Sequence, residues 1–432
     1  MRKMKDSGLE WIGKIPDNWS NQRFKYVVNS LNKGNGITKD EVFPNGNVEC
    51  VRYGEIYSKY NHSFQDCFSR TNKEVVSSPQ YFSYGDILFA GTGELIEEIG
   101  KNIVYLGSNA CLAGGDIIVA KHSQNPSFLN YAMSSYYAQY QKSLGKAKLK
   151  VVHITASQIG NIRIILPPLP EQKRIADFLD GKCADIDQIK ADIEKQIEIL
   201  TDYKKSVITE AVTKGLDPKV KLKDSGIKWV GKIPEHWECK PIGVFFNEVN
   251  KKNVNGLVTN PLKFTYGTIV AKQNFDADSD EYVAKTILNY NVVDFGTIMI
   301  NGLNLNYDLI SQRVGLVKEK GIITSAYLAI KAKDFSKINP FYAMYAFKFY
   351  DFCMAFHNMG EGVRKTLGFD ELRHVYFMLP SIKEQEQIVS YLDEKCSDID
   401  ATIAEKKKQL ETLEDYKKSL IFEYVTGKKE VV

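Results

Sequence analysis

LPPLPEQKRIADFLDGKCADIDQIK (166–190) and LPSIKEQEQIVSYLDEKCSDIDATI (379–403) are two versions of one stretch within a chain of 432 residues. The match runs on without a gap to DYKKSVITEAVT (202–213) and DYKKSLIFEYVT (415–426). Prolines 167, 168 and 170 stand at the start of the first copy and Pro380 at the start of the second, and none interrupts the run that follows. Leu179, Ile186, Ile193, Leu200 and Val207 fall at heptad steps, with Ile175, Ile189 and Tyr203 between them. Such a stripe marks a helix that lies along another helix. In the second copy Leu392, Ile399, Leu413 and Leu420 keep the stripe, while Lys406 breaks it and Ile403 and Leu410 shift it sideways. At 1.5 Å per residue, roughly 43 residues would reach about 65 Å. The copies also agree outside the stripe, in LD-x-KC-x-DID and in DYKKS. A docking surface and plain solvated charge both account for that agreement.

A second repeat precedes each block. KDSGLEWIGKIPDNW (5–19) recurs as KDSGIKWVGKIPEHW (223–237). The second copy follows the end of the first helix, and the other helix ends the chain. The repeat is therefore circular, so the two ends of the chain are expected side by side. Trp11, Trp19, Trp229 and Trp237 are expected to pin each block to the end of a helix.

The blocks between phrase and helix match poorly but share a skeleton. YGDILFAGTGE (84–94) stands opposite FGTIMINGLNL (295–305), and GGDIIVAK (114–121) opposite SAYLAIKAK (325–333). Runs such as Asp86–Phe89 and Asp116–Ala120 have the character of buried strands bounded by Gly. NPSF (125–128) and NPFY (339–342) each open a helix, with Asn as N-cap and Pro in the first turn. The basic loops LGKAKLK (144–150) and MGEGVRK (359–365) follow.

Bulk properties bound the function. The chain is too long for one ordinary core. It is 44% hydrophobic and 25% charged, which is globular composition. A net charge of +4 permits an acidic partner without demanding one. Seven scattered Cys, none in C-x-x-C, fit a reducing compartment. The charged N-terminus has no apolar signal region, and the aromatic run 341–356 carries Lys348 and Asp351, so a soluble, cytoplasmic protein is expected.

Catalytic patterns are weak. FAGTGE (89–94) has the F-x-G-x-G form of a methyltransferase cofactor loop, and NPFY has part of the N-P-P-Y/F motif. They lie in different repeats, and NPSF at the matching place favours a helix cap. DADSDEY (276–282) lacks the Gly and Glu of a calcium loop. The six His show no metal spacing, and neither a P-loop nor G-x-S-x-G occurs. No catalytic residue and no metal site is expected. Binding remains. Lys142, Lys146, Lys148, Lys150, Arg364 and Lys365 suit phosphate contacts. Arg52, Asn301, Asn304, Asn306 and Arg313 have the forked donors and acceptors that read bases. His153 is expected at the surface or in the core.

W-x-G-x-IP-x-x-W before each block, L-P-x-x-x-EQ-x-x-I-x-x-x-LD at each helix start, and two unlike blocks alternating with two like helices resemble the specificity (S) subunit of type I restriction–modification systems, over essentially the whole chain. The resemblance implies an α+β fold of two mostly-β target recognition domains joined by two long antiparallel helices with pseudo-two-fold symmetry. The expected boundaries are 1–165 and 216–378 for the recognition domains, and 166–215 and 379–432 for the spacer helices. It further implies a non-catalytic chain, one per complex, that binds double-stranded DNA, docks two methyltransferase subunits and is joined by restriction subunits. S-adenosylmethionine, ATP and magnesium would belong to those partners. Half-sites on one face of DNA lie about one turn apart, which predicts half-sites of about 3–5 base pairs around a gap of about 5–8. The competing reading is a self-contained DNA amino-methyltransferase using FAGTGE and NPFY. A third is a scaffold that binds only protein.

Overall fold

The computed structural model describes residues 2–76, 78–146, 151–272, 287–305, 312–359 and 366–431. The chain divides into two compact units, Met1–Ile193 with Lys407–Val432, and Glu194–Lys406.

Both repeated stretches are single helices, Leu169–Lys214 and Ile382–Val425, of 46 and 44 residues. Proline stays in or before the first turn, where its missing N–H costs nothing. Each helix is followed by a glycine in the left-handed region, Gly215 at φ 74° and Gly427 at φ 70°, a backbone state that other residues adopt at a cost.

In the first unit the start of the first long helix meets the end of the second. Ile175, Leu179 and Ile186 share one core with Leu420, Ile421 and Val425, with Leu413 at its edge. Phe178 packs on Tyr424 with ring centroids 4.5 Å apart. Lys417 pairs with Asp187 at 2.6 Å and Lys190 with Glu414 at 2.6 Å. As one number rises the other falls, so these segments run antiparallel. In the second unit the roles reverse. Val207, Ile208 and Ala211 share a core with Ile388, Leu392 and Cys396. Lys204 pairs with Asp400 at 2.6 Å, and Lys406 donates to Gln196 Oε1 at 2.5 Å. Ile193 and Ile399 are buried and Leu200 half-buried, as their stripe requires. Ile189 and Tyr203 depart from it and are about half exposed, because each helix buries a narrow seam and these two stand beside it.

The agreement outside the stripe has a structural cause. The second Asp of each DID, Asp187 or Asp400, takes the first Lys of the other copy's DYKKS, Lys417 or Lys204. The Asp of each LD meets the seventh residue of the NP helix. Tyr345 Oη donates to Asp393 Oδ1 at 2.7 Å, and burial together with the nearby Asp180 charge pushes the Tyr131 hydroxyl up.

The repeated phrase forms the same hairpin twice, Met4–Asp6 with Lys14–Pro16 and Leu222–Asp224 with Lys232–Pro234. Its second Trp lies buried between two helix ends. Trp19 Nε1 donates to Glu171 Oε2 at 2.8 Å in the first turn of one helix, and its ring lies against Gly427 after the other. Trp237 stands likewise between Glu384 and Gly215. Gln172 and Gln385, the next residues, take the Asn125 and Asn339 backbone N–H at 3.0 and 2.8 Å. Each E-Q pair thus fastens the phrase and the NP helix to the first turn of a long helix. Trp11 packs on Tyr137 and Trp229 on Tyr350. Lys428 donates to the Ile12 and Lys14 carbonyls, and Arg2 and Val431 line one small cavity, so the described ends of the chain lie together.

The unlike blocks carry one shared sheet order. In the first, Val28–Lys33, Ile117–His122, Ile87–Ala90 and Asn102–Tyr105 lie side by side, with Ser63–Phe64 at the edge. In the second, Phe246–Glu248, Leu328–Ala332, Thr297–Ile300 and Val314–Leu316 take the same places. All neighbours among these four strands are antiparallel. A further sheet in the first unit orders Ser69–Thr71, Val48–Val51, Cys111–Ala113 and Tyr81–Phe82. The last strand of each block pairs with its first, Arg163–Leu166 with Ser20–Arg23 and Tyr376–Leu379 with Glu238–Pro241. Each block is thereby closed where its helix begins.

Candidate nucleic-acid interface

In each unit the central strand runs out into a loop that meets the segment closing the basic stretch. In the first, Thr92–Gly93 pairs with Val152–His153, and Thr92 Oγ1 lies 3.0 Å from His153 Nδ1. Ile154 N donates to Gly91 O at 2.9 Å. In the second, Asn301–Leu305 follows Thr297–Ile300, and Leu367 N donates to Gly302 O at 2.9 Å. A Cβ on Gly302 would stand 2.7 Å from the Leu367 carbonyl oxygen, so only glycine permits that approach. The segments 147–150 and 360–365, which complete the two basic loops, lie outside the described residues. With them go Lys148, Lys150, Arg364 and Lys365, and so do Asn306 and DADSDEY.

The described candidates divide by exposure. Lys142 is 1% exposed, donating to Gly100 O and Asn102 Oδ1, both at 2.8 Å. Arg313 is 0% exposed, and its Nη1 donates to the Asn301 and Leu303 carbonyls at 2.9 Å. Neither reaches a phosphate or a base from there, which corrects their assignment as DNA contacts. Both instead hold the loops from beneath: Arg313 fixes 301–303, and Lys142 fixes the turn at Gly100. Their burial follows from places that composition does not disclose, Lys142 in helix Tyr136–Ser143 and Arg313 just ahead of strand Val314–Leu316. Arg52 is part-exposed and tied to Glu55 Oε1 at 3.0 Å through Nε and Nη2. Lys146 donates to His153 O and to Gln158 Oε1, bracing the basic loop against the following turn. Asn301 Oδ1 accepts from Leu303 N at 3.2 Å. Asn304 is exposed at φ 52°, set outward by the buried Leu305 beside it.

The methyltransferase-like patterns have other work. Ala90–Gly93 are buried in strand pairing, and Asn339 Oδ1 caps its helix by accepting from Phe341 N at 2.9 Å. Asn125 does the same for Phe128 N.

This arrangement has relatives. The model of the type I restriction modification DNA specificity domain matches twice, at residues 16–199 and 235–414. The chain belongs to this specificity family. It is 27% identical over 437 residues to the proposed MjaX type I restriction enzyme specificity subunit of Methanocaldococcus jannaschii, covering 97% of this chain and 96% of that one. It is 24% identical over 304 residues to the EcoBI specificity subunit of Escherichia coli, covering 64% and 60%. A solved chain from work on complex assembly and conformational transition of the type I restriction–modification system superposes with a TM-score of 0.70 at 15% identity, covering 96% of this chain and 99% of that one. The fold is thus that of specificity subunits, two mixed β domains and two long helices that pack together. As a member, the chain recognises a DNA target for a type I system, is itself non-catalytic and carries no cofactor of its own. Among the described residues no helix is long and apolar enough to cross a membrane.

Proposed function

We propose that residues 1–165 and 216–378 are two target recognition domains, each reading one half of a bipartite, asymmetric DNA sequence, and that 166–215 and 379–432 are the spacer between them. The observation that carries this is the contrast between like frames and unlike loops. Both blocks have the same four-strand order and the same E-Q fastening, yet 91–94 and 301–305 share little sequence. Loops on a fixed frame are where sequence reading can diverge without cost to the fold. Asn304 stands on such a loop, Lys146 is tied to His153 on the strand paired with the other, and Arg52 is a further proposed contact. Lys148, Lys150, Asn306, Arg364 and Lys365 complete the set of proposed contacts.

The same chain docks two methyltransferase subunits, one on each repeat, with one specificity chain per complex. With Lys204 and Lys417 turned to their aspartates, DYKKS leaves Asp202, Tyr203, Lys205 and Ser206 exposed, and Asp415, Tyr416, Lys418 and Ser419 likewise. Tyr203 and Tyr416 are each 54% exposed, a large aromatic in equal surroundings on both repeats. Two copies of one surface fit two copies of one partner. Restriction subunits join that core, S-adenosylmethionine, ATP and magnesium reside on the partners, and the assembly works in the cytoplasm.

Exchange of residues 20–165 for the corresponding block of another family member tests the modular reading. Methylome sequencing of cells expressing the hybrid with its methyltransferase should show one half of the motif changed and the other kept. A change in both halves refutes it.

A further inference from the structure

Three side chains with no part in the helix junctions or the paired loops converge in the first unit. Glu49 comes from strand Val48–Val51, Cys111 from strand Cys111–Ala113, and Cys67 from the turn before strand Ser69–Thr71. Their sulfurs and a carboxylate oxygen all lie within 4.8 Å of one another. Cys111 Sγ stands 3.6 Å from Glu49 Oε2 and 3.7 Å from Asn109 O, two atoms that only accept hydrogen bonds. Tyr105 Oη lies 3.5 Å away on another side. Cys111 is fully buried and the Glu49 side chain is 17% exposed. A thiol has a single weak proton to offer such a neighbourhood. Glu49 Oε2 also accepts from Asn109 Nδ2 at 3.2 Å, and a cation would draw both sulfurs and this carboxylate together at one centre.

We propose that Glu49, Cys67 and Cys111 bind a thiophilic divalent cation, Zn²⁺ in type, with water as the fourth ligand. Tetrahedral zinc holds sulfur at about 2.3 Å and carboxylate oxygen at about 2.0–2.2 Å, which sets the edges of the tetrahedron near 3.5–3.8 Å. The Cys111–Glu49 separation already has that length. Closing the remaining separations takes about 1 Å, within reach of a side-chain adjustment at the Cys67 turn. Two thiolates select against the hard cations magnesium and calcium.

The charges balance. Two thiolates and one carboxylate around Zn²⁺ leave a single negative charge, and Arg70 Nη1 lies 3.3 Å from Glu49 Oε1 to meet it. Each cation bound releases two thiol protons to solvent, so affinity rises with pH. Cys50, next in sequence to Glu49, points to the other face of the strand Val48–Val51 and takes no part. The bound cation would tie the Cys67 turn to the strand that ends just before Arg52. Glu55, which holds Arg52, already bonds Ser69 Oγ at 2.6 Å across the same turn.

The test is a cobalt titration of the full-length chain, reduced and stripped with chelator. A thiolate-to-cobalt charge-transfer band should rise to one equivalent per chain, and Zn²⁺ should displace it with release of about two protons. Cys67→Ser and Cys111→Ser should abolish the band, Glu49→Gln should weaken binding about tenfold or more, and Cys183→Ser should leave it intact. Absence of the band, or its survival in the Cys67→Ser, Cys111→Ser double variant, overturns the proposal. Alkylation of the wild-type chain with and without Zn²⁺ needs no variant to fold. Protection of the part-exposed Cys67 by Zn²⁺ supports the site, and equal labelling of Cys67 in both conditions overturns it.

Discussion

The ammonium of Lys142 sits inside the first unit, between the Gly100 carbonyl and the side chain of Asn102, with the Phe89 ring 5.5 Å away. Burial alone lowers its pKa from 10.5 to about 7. Between those values the unfolded chain holds a proton that the folded chain has released, so stability rises with pH across that window. The contribution is complete above pH 10.5 and is lost as pH falls through 7. Lys142→Met removes the titration. From pH 7.5 to 9 the wild type should gain on the variant by up to about 1.4 kcal/mol per pH unit, as followed by denaturant unfolding. Parallel curves would show that the ammonium is not desolvated. The same variant should leave the salt dependence of DNA binding unchanged, whereas loss of a true phosphate contact lowers that slope by about 0.9. At this scale the sequence was least legible. Lys142 and Lys146 look alike as members of one basic run, and only the turn of the short helix Tyr136–Ser143 sends one inward. Arg313 likewise resembles a base reader until its place just ahead of strand Val314–Leu316 buries it. Glu49, Cys67 and Cys111 share no motif, because strand pairing and a turn bring them together.

The elements were far more legible, since a helix of 46 residues repeats its period often enough to be seen. Its start, its proline-free run and its seam all follow from local rules. The identical residues off the seam were expected to serve docking or solvation, and the pairing of Asp187 with Lys417 and Asp400 with Lys204 gives one Lys of each DYKKS a third role, tying one helix to the other. Sequence could not supply this, because partners about 200 residues apart depend on which way the helices run. Asp187 is 43% and Lys417 19% exposed, so the pair is screened and worth about 0.2–1 kcal/mol. Reversing Asp187→Lys alone sets two ammonium groups together beside Lys190. It should cost about 1 kcal/mol or somewhat more, about 2–4 °C in Tm for a unit of this size. Adding Lys417→Asp should restore most of the loss, measured by thermal unfolding. Equal stability of single and double variants would mean that the motif is kept for its outward face only.

At the scale of the molecule, the repeated phrase carried the architecture. Its circular order implied that a block is closed by the helix that follows it and by the end of the other one. The shared core of Ile175, Leu179, Leu420 and Val425 has that composition. Covalent continuity is then incidental at one of two equivalent junctions. Between Gly215 and Lys223 the chain passes directly from helix to phrase, with residues 216–219 exposed. At the other junction Lys428 makes the corresponding connection by hydrogen bonds to the Ile12 and Lys14 carbonyls. Exposed loop tips whose backbone carries few bonds tolerate new termini. A circular permutant that links Val432 to Met1 through a few Gly and Ser residues, and opens between Pro218 and Lys219, should fold with Tm within about 5 °C of the parent. With its methyltransferase it should modify the same DNA motif. A control opened between Ile193 and Glu194, inside the first long helix, cuts the element that both cores depend on and should lose that activity. Equal activity of both permutants would show that the helices need no continuity, and failure of the first alone would show that the phrase must be covalently fixed to a particular helix end.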